Sequence, residues 1–224
     1  MKKVLLSLLL GFATGFSALA QQTMQVNTDL YGNFNISLSF SGGRRNSVVL
    51  DTNGTIIHMP VGGRTEVYDH WDGRIKAGKI KSVNGIVFDY YDQFDGRVQE
   101  GRIKSIGGIK VEYYDQFDGR ILEGRLKNIG SHAFVWHDQF DGRIREGKIK
   151  SIGGVPFQYY DQFDFSYESG KIKSIGSHPF TYFSVFDGGQ WEGRLKSYSQ
   201  RFEENGIRFV VDIPSNRPPR PQPR

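Results

Sequence analysis

A phrase of 23 residues recurs through most of this chain. "YYDQFDGRILEGRLKNIGS" spans Tyr113–Ser131, and close copies precede and follow it. Counted from a Tyr-Asp or its equivalent, the units begin at Tyr68, Tyr91, Tyr114, His137, Tyr160 and Phe183. A fixed period restricts the chain to repeat architectures, in which each unit is stabilised by stacking on its neighbours. The fourth unit position is always aromatic: Trp71, Phe94, Phe117, Phe140, Phe163 and Phe186. The fifth is always Asp, the eleventh Gly, the twelfth Lys or Arg, the thirteenth Ile or Leu, and the fourteenth Lys.

Each unit reads as a β-hairpin. Asp-Gly, Gly-Gly and Asn-Gly favour two-residue primed turns, whose central residues need positive φ. Asp118-Gly119 is expected to supply one turn; Gly107-Gly108, Asn84-Gly85 and Asn205-Gly206 supply the other kind. The segments between are rich in Ile, Val, Phe and Tyr and suit strands of about nine or ten residues. Ahead of the units, "VVLDTNGTIIHMPVGG" reads as one more hairpin turning at Asn53-Gly54, placed to cap the edge of the repeat sheet.

The odd period poses a constraint. Strand side chains alternate with period two, so each unit would turn the next inside out unless one residue is absorbed. A β-bulge absorbs one residue, and Gly is a favoured occupant, which points to Glu123-Gly124 and its equivalents. With that bulge, Ile106 faces Ile109, Tyr113 faces Arg125 and Val111 faces Lys127. One face then alternates aromatic and basic groups, with basic stems lying over rings. Tyr113, Trp136 and Tyr159, with Arg102, Arg125 and Lys148, form the candidate ligand-binding strip.

In that register neither face is cleanly apolar. The expected fold is therefore all-β: an antiparallel meander of 23-residue β-hairpin repeats in a largely single-layer twisted sheet. An outer-membrane β-barrel is the alternative architecture, since long strands and export suit it, but basic and acidic groups in mid-strand do not suit a lipid-facing band.

Lys2 and Lys3, the apolar run Val4–Leu10 and the closing Ala18-Leu19-Ala20 form the pattern of a secretory signal peptide. No second long apolar run follows, so no transmembrane helix is expected. The predicted organisation is a signal peptide over 1–20, N-terminal strands and a capping hairpin over 21–67, six repeat units over 68–214, and a Pro/Arg-rich tail over 215–224. The chain has no cysteine, so an exported form holds together by packing and backbone pairing alone. The formal charge of +5 resides at the ends. Without Lys2, Lys3, Arg217, Arg220 and Arg224 the chain has 24 basic and 24 acidic residues, which argues against nucleic acid as a partner.

The Tyr-led, Gly-punctuated unit resembles the MORN repeat family. Tyr91, Gly96 and Gly101 carry the likeness, over residues 68 to 205. Where MORN units place further glycines, this chain has Gln93 and Arg102-Ile103. The resemblance implies a repeat sheet used for protein or lipid-surface contacts, without catalytic residues.

Asp92 and Asp95 lack the alternating ligands and distal Glu of a calcium loop. His132 and His178, two units apart, are too widely spaced to share a metal; His137 stands where other units have Tyr. No metal or cofactor is expected. No nucleophile or metalloprotease motif is present, and a repeat multiplies one group where an enzyme needs one unique place. The sequence thus points to a periplasmic or secreted, non-enzymatic scaffold or binding module contacting an envelope protein or polysaccharide. An envelope enzyme such as a glycan hydrolase is the alternative.

Overall fold

The computed structural model describes residues 23–41, 46–60, 62–196 and 201–212. The signal-peptide segment 1–20 and the tail 215–224 lie outside the described residues. The chain is all-β, with no α-helix among the described residues and none long and apolar enough to cross a membrane. Eleven strands of the repeat region form one continuous meander. They are β5 (Thr65–Val67), β6 (Ile80–Val83), β7 (Ile86–Tyr90), β8 (Ile103–Ile106), β9 (Ile109–Tyr113), β10 (Leu126–Ile129), β11 (His132–Trp136), β12 (Ile149–Ile152), β13 (Val155–Tyr159), β14 (Ile172–Ile175) and β15 (His178–Pro179). Their spatial order follows the sequence from β5 to β15, so the sheet is open and not closed into a barrel.

The flanking segments build a second sheet. β1 (Thr23–Thr28), β2 (Phe34–Ser39), β3 (Ser47–Leu50) and β4 (Ile56–His58) join β16 (Arg201–Glu204) and β17 (Ile207–Val211) in the order β16-β17-β1-β2-β3-β4. β1 runs parallel to β17; the other ladders among the described residues are antiparallel. The Asn53-Gly54 hairpin forms as expected between β3 and β4, but it lies in this second sheet, not at the end of the repeat sheet.

The tight turns follow their sequence signals. Asn84 and Gly85, Gly107 and Gly108, and Asn205 and Gly206 all have positive φ, as a primed turn demands. The Asp-Gly pairs do something else. In place of a two-residue turn, a compact twelve-residue loop, 114–125, separates β9 from β10, and the strands are only four or five residues long. The loop closes on itself: Tyr114 N–H donates to Arg125 C=O, and Gly124 N–H to Tyr114 C=O. Asp115 accepts from Phe117 N–H at 2.7 Å, and Asp118 accepts from Asp115 N–H at 2.8 Å. Carboxylates that satisfy loop N–H groups explain the two Asp positions better than a hairpin turn does.

The odd residue is absorbed, but not at glycine. Tyr113 pairs with Leu126 and Val111 with Ile129, with the irregularity between Leu126 and Asn128. The skipped residue is Lys127. The same shift falls at Lys81, Lys104, Lys150 and Lys173, so the fourteenth position is skipped in each of the first five units. The expected pairs Tyr113–Arg125 and Val111–Lys127 are therefore displaced. Gly124 is kept for a different reason: its φ is +78°, and an added Cβ would meet the Arg102 guanidinium at 2.6 Å.

Moving the bulge to the lysine changes the faces. Ile103, Ile106, Val111, Tyr113, Leu126, Ile129, Phe134 and Trp136 all turn inward and are buried. The repeat sheet thus has one apolar face, which an antiparallel sheet must cover. Met24, Val26, Phe34, Ile36, Leu38, Leu50, Ile207 and Phe209 of the second sheet cover it. Phe34 stacks on Trp136 at 5.5 Å and on Phe134 at 6.1 Å; Phe209 meets Phe157 at 6.0 Å. The eleven strands remain one layer, with a second layer added by both chain ends.

The covering layer is also stitched on by backbone bonds. Leu126 N–H reaches Thr52 C=O, and Ile172 N–H reaches Leu30 C=O at 2.8 Å. Both donors stand where loop 114–125 and its counterpart enter a strand. Replacing Phe34 by Ala should cost about 3–5 kcal/mol, measured by urea unfolding, because the ring sits between two fixed aromatic neighbours and its space cannot collapse.

Candidate functional site

The three rings of the expected binding strip are interior. Tyr113 is 2% exposed, Trp136 6% and Tyr159 7%, all beneath the second sheet. Burial pushes the phenols of Tyr113 and Tyr159 far above their ordinary range. Trp136 Nε1–H donates to Leu126 C=O, and Tyr159 O–H to Ile149 C=O. These rings are core groups, and a ligand has no access to their faces. The reason for the correction is the bulge, which sends this side of the strand inward.

The basic members of the strip sit at the rim of that core. Arg102 lies over Tyr113, Arg125 over Trp136 and Lys148 over Tyr159, at 4.6–5.1 Å from each ring centre. Each also reaches one unit ahead. Arg102 donates to Gly124 C=O at 2.6 Å, Arg125 to Gly147 C=O and Lys148 to Gly170 C=O. Arg102 adds a bond to Asn53 C=O at 3.2 Å, tying the two layers together. Burial pulls Arg125 and Lys148 below their ordinary ranges. These cations bind loop carbonyls of the protein itself. Arg125→Gln with Lys148→Gln should therefore lower stability by about 1–3 kcal/mol, seen as an earlier urea midpoint.

A second set of groups holds the loops. Lys104 lies over Tyr91 and 3.3 Å from Asp95; Lys127 lies over Tyr114 and 3.4 Å from Asp118. Asp95 is held below its usual range by the backbone N–H of Asp92 first and by Lys104 next. The leading tyrosines bridge units: Tyr91 O–H donates to Val111 C=O, Tyr114 to Phe134 C=O and Tyr160 to Phe180 C=O. The loops are thereby fixed to the sheet and to one another.

What these loops display is the fourth-position ring. Trp71 is 84% exposed, Phe94 85%, Phe117 87%, Phe140 85%, Phe163 88% and Phe186 95%. Isolated exposed apolar groups are ordinary, but here the same loop site exposes a ring in all six units. The backbone beneath is pinned: Phe94, Phe117, Phe140 and Phe163 each donate N–H to the Asp two residues earlier at 2.7–2.8 Å. Two strands per unit put successive rings roughly 9.6 Å apart at the sheet edge, and the six span about 48 Å.

The surroundings of the rings are polar and of both signs. Gln93, Gln116 and Gln139 precede them, Arg97, Arg120 and Arg143 follow, and all are exposed. Arg97 reaches Glu123 of the next loop at 3.2 Å. Elsewhere, a concavity of about 810 Å³ on the outer face of the second sheet is lined by Gln25, Asn27, Ser37 and Arg208 among others. Its amides bond one another: Gln25 to Asn27 and Asn27 to Asn35. Among the described residues no cluster of His, Asp or Glu is arranged to hold a metal ion.

The recurrence of the ring was visible in the sequence as an invariant fourth position. Its exposure was not, because the exposed and buried aromatics of one unit are equally regular in sequence. No family model, no curated protein and no solved structure matches this chain.

His137 marks the one unit that lacks the leading aromatic hydroxyl or phenyl group. It is buried and forms no bond like those of Tyr114 and Tyr160. Burial pushes the imidazole below its ordinary range; Asp141, with its carboxylate 3.0 Å away, pulls it up, and Lys150 and Arg145 push it down. The unfolded chain therefore binds the proton more readily. This group costs the fold nothing above the ordinary histidine range and destabilises it as pH falls through that range. His137→Tyr should raise the thermal midpoint at about pH 7 by the worth of one hydrogen bond, about 1 kcal/mol, and flatten its decline toward about pH 5.

Proposed function

We propose that this protein is an exported, non-catalytic binding module of the cell envelope, and that it engages an extended partner along its edge of exposed rings. The observation that carries the reading is the fourth-position aromatic. It is 84–95% exposed in every unit, on loops whose fifth-position carboxylates and leading tyrosines are already engaged within the protein. Burying a ring of this kind on a partner is worth more than area alone when the geometry is fixed beforehand. The signal-peptide pattern supports export to the periplasm or medium. The likeness to MORN repeats supports a sheet used for contacts in place of catalysis. The near-equal acidic and basic content supports a partner other than nucleic acid.

The edge suits a partner that is itself long. A compact ligand reaches one or two rings at this spacing, whereas an extended one gathers several weak contacts in a single event. The test is retention of an envelope extract, protein and polysaccharide together, on the immobilised chain. Phe94→Ala, Phe117→Ala, Phe140→Ala and Phe163→Ala combined should cut retention by more than about tenfold. The urea midpoint should hardly move, since each ring is exposed, with an expected change of about 0.5 kcal/mol or less per site. Unchanged retention by a folded quadruple variant would sink the reading.

A further inference from the structure

We infer that the ring edge binds a neutral, linear, β-linked polysaccharide lengthwise. This rests on the ring edge being the binding site and adds the chemical class of the occupant. Three observations carry it.

The first is spacing. Rings roughly 9.6 Å apart along a twisted sheet cannot stack on one another or share one small ligand. The step is close to the length of a disaccharide. A β-1,4-linked chain turns each sugar over relative to the last, so the same ring face returns at every disaccharide. The polymer and the sheet are thus both periodic on the same scale.

The second is the chemistry between the rings. Gln116 and Arg120 flank Phe117, and Arg97 pairs with Glu123 across the neighbouring loop. A bilayer or an apolar protein face pressed onto the rings would have to strip water from these groups and leave them unpaired. A sugar chain does not. Its C–H face meets the negative π face of the ring, while its hydroxyls accept from the amide and guanidinium and donate to the carboxylate. The mixture of signs fits a neutral chain better than a polyanion, which an edge of uncompensated cations would recognise.

The third is rigidity. Asp115 and Asp118 fix the loop N–H groups, and the leading tyrosine ties the loop to the next unit. The backbone beneath each ring is held before binding, so only the ring's own side-chain rotation is left to be ordered by the contact.

Affinity electrophoresis of the full chain tests this with soluble hydroxyethylcellulose, mixed-linkage β-glucan, glycol chitin and galactomannan, and with alginate as the acidic control. The expected result is retardation by at least one neutral polymer, with the matching disaccharide competing about 100-fold less well. Phe117→Ala with Phe140→Ala should weaken retardation about tenfold. Retardation by alginate alone, abolished by salt, would overturn the neutral class. Competition by the disaccharide equal to that of the polymer would overturn the lengthwise mode. If no polysaccharide retards the chain while rings still govern retention of an envelope protein fraction, the class is wrong and the ring edge stands. If polymer binding survives the loss of the rings, the ring edge itself is wrong.

Discussion

The fold depends on how a 23-residue period is reconciled with a strand period of two. One residue per unit must be taken out of the alternation, or successive units would bury opposite faces. The chain takes out the fourteenth-position lysine. Leu126 and Ile129, three apart, then point the same way, as do Ile149 and Ile152 in the next unit. A lysine suits the bulge because its long stem swings out of the ladder and lays its ammonium over the leading ring of its own unit. The same ammonium lies beside the fifth-position carboxylate, so bulge, ring and loop cap form one local assembly.

Stacking then multiplies that assembly. Cations at the twelfth position of Arg102, Arg125, Lys148 and Lys171 each donate to a glycine carbonyl 22 residues ahead, and leading tyrosines to a carbonyl 20 ahead. Individually such bonds contribute about 1 kcal/mol or somewhat more. Their effect is positional as much as energetic, because every loop is indexed against the next. A chain without disulfides gains its rigidity in this way, and a regular sheet edge is the result.

The ring edge is where that regularity meets solvent. The twelfth- and fourteenth-position cations and the leading tyrosines have partners inside the protein, and the inward aromatics lie under the second sheet. Among the described residues the fourth-position phenyl rings have neither kind of partner, and Trp71 meets only the neighbouring His70 ring, at 4.4 Å. A carboxylate-capped loop tip holds an aromatic group away from the core, and repetition turns one exposed ring into a regular row of six. Unit five keeps its ring although Phe165, Ser166 and Tyr167 replace the usual Gly-Arg-Ile, with Phe165 and Tyr167 stacked at 5.4 Å. The displayed ring is thus preserved where the loop around it is rebuilt.

The sequence by itself determined the repeat, the antiparallel meander, the tight Asn-Gly and Gly-Gly turns and the need for one absorbed residue per unit. These follow from local backbone preference and parity, which act within a few residues. It did not determine which residue is absorbed, because glycine and lysine positions are equally invariant and a shift of three residues exchanges the faces. Tertiary structure decided that point, since only the register with Ile103, Val111, Leu126 and Ile129 inward offers the second sheet an apolar surface to cover. That choice buried Tyr113, Trp136 and Tyr159 and left Phe94, Phe117 and Phe140 outside. Which of two equally regular aromatic rows faces solvent is a property of long-range packing, and β1–β4 and β16–β17, from opposite ends of the chain, supply it.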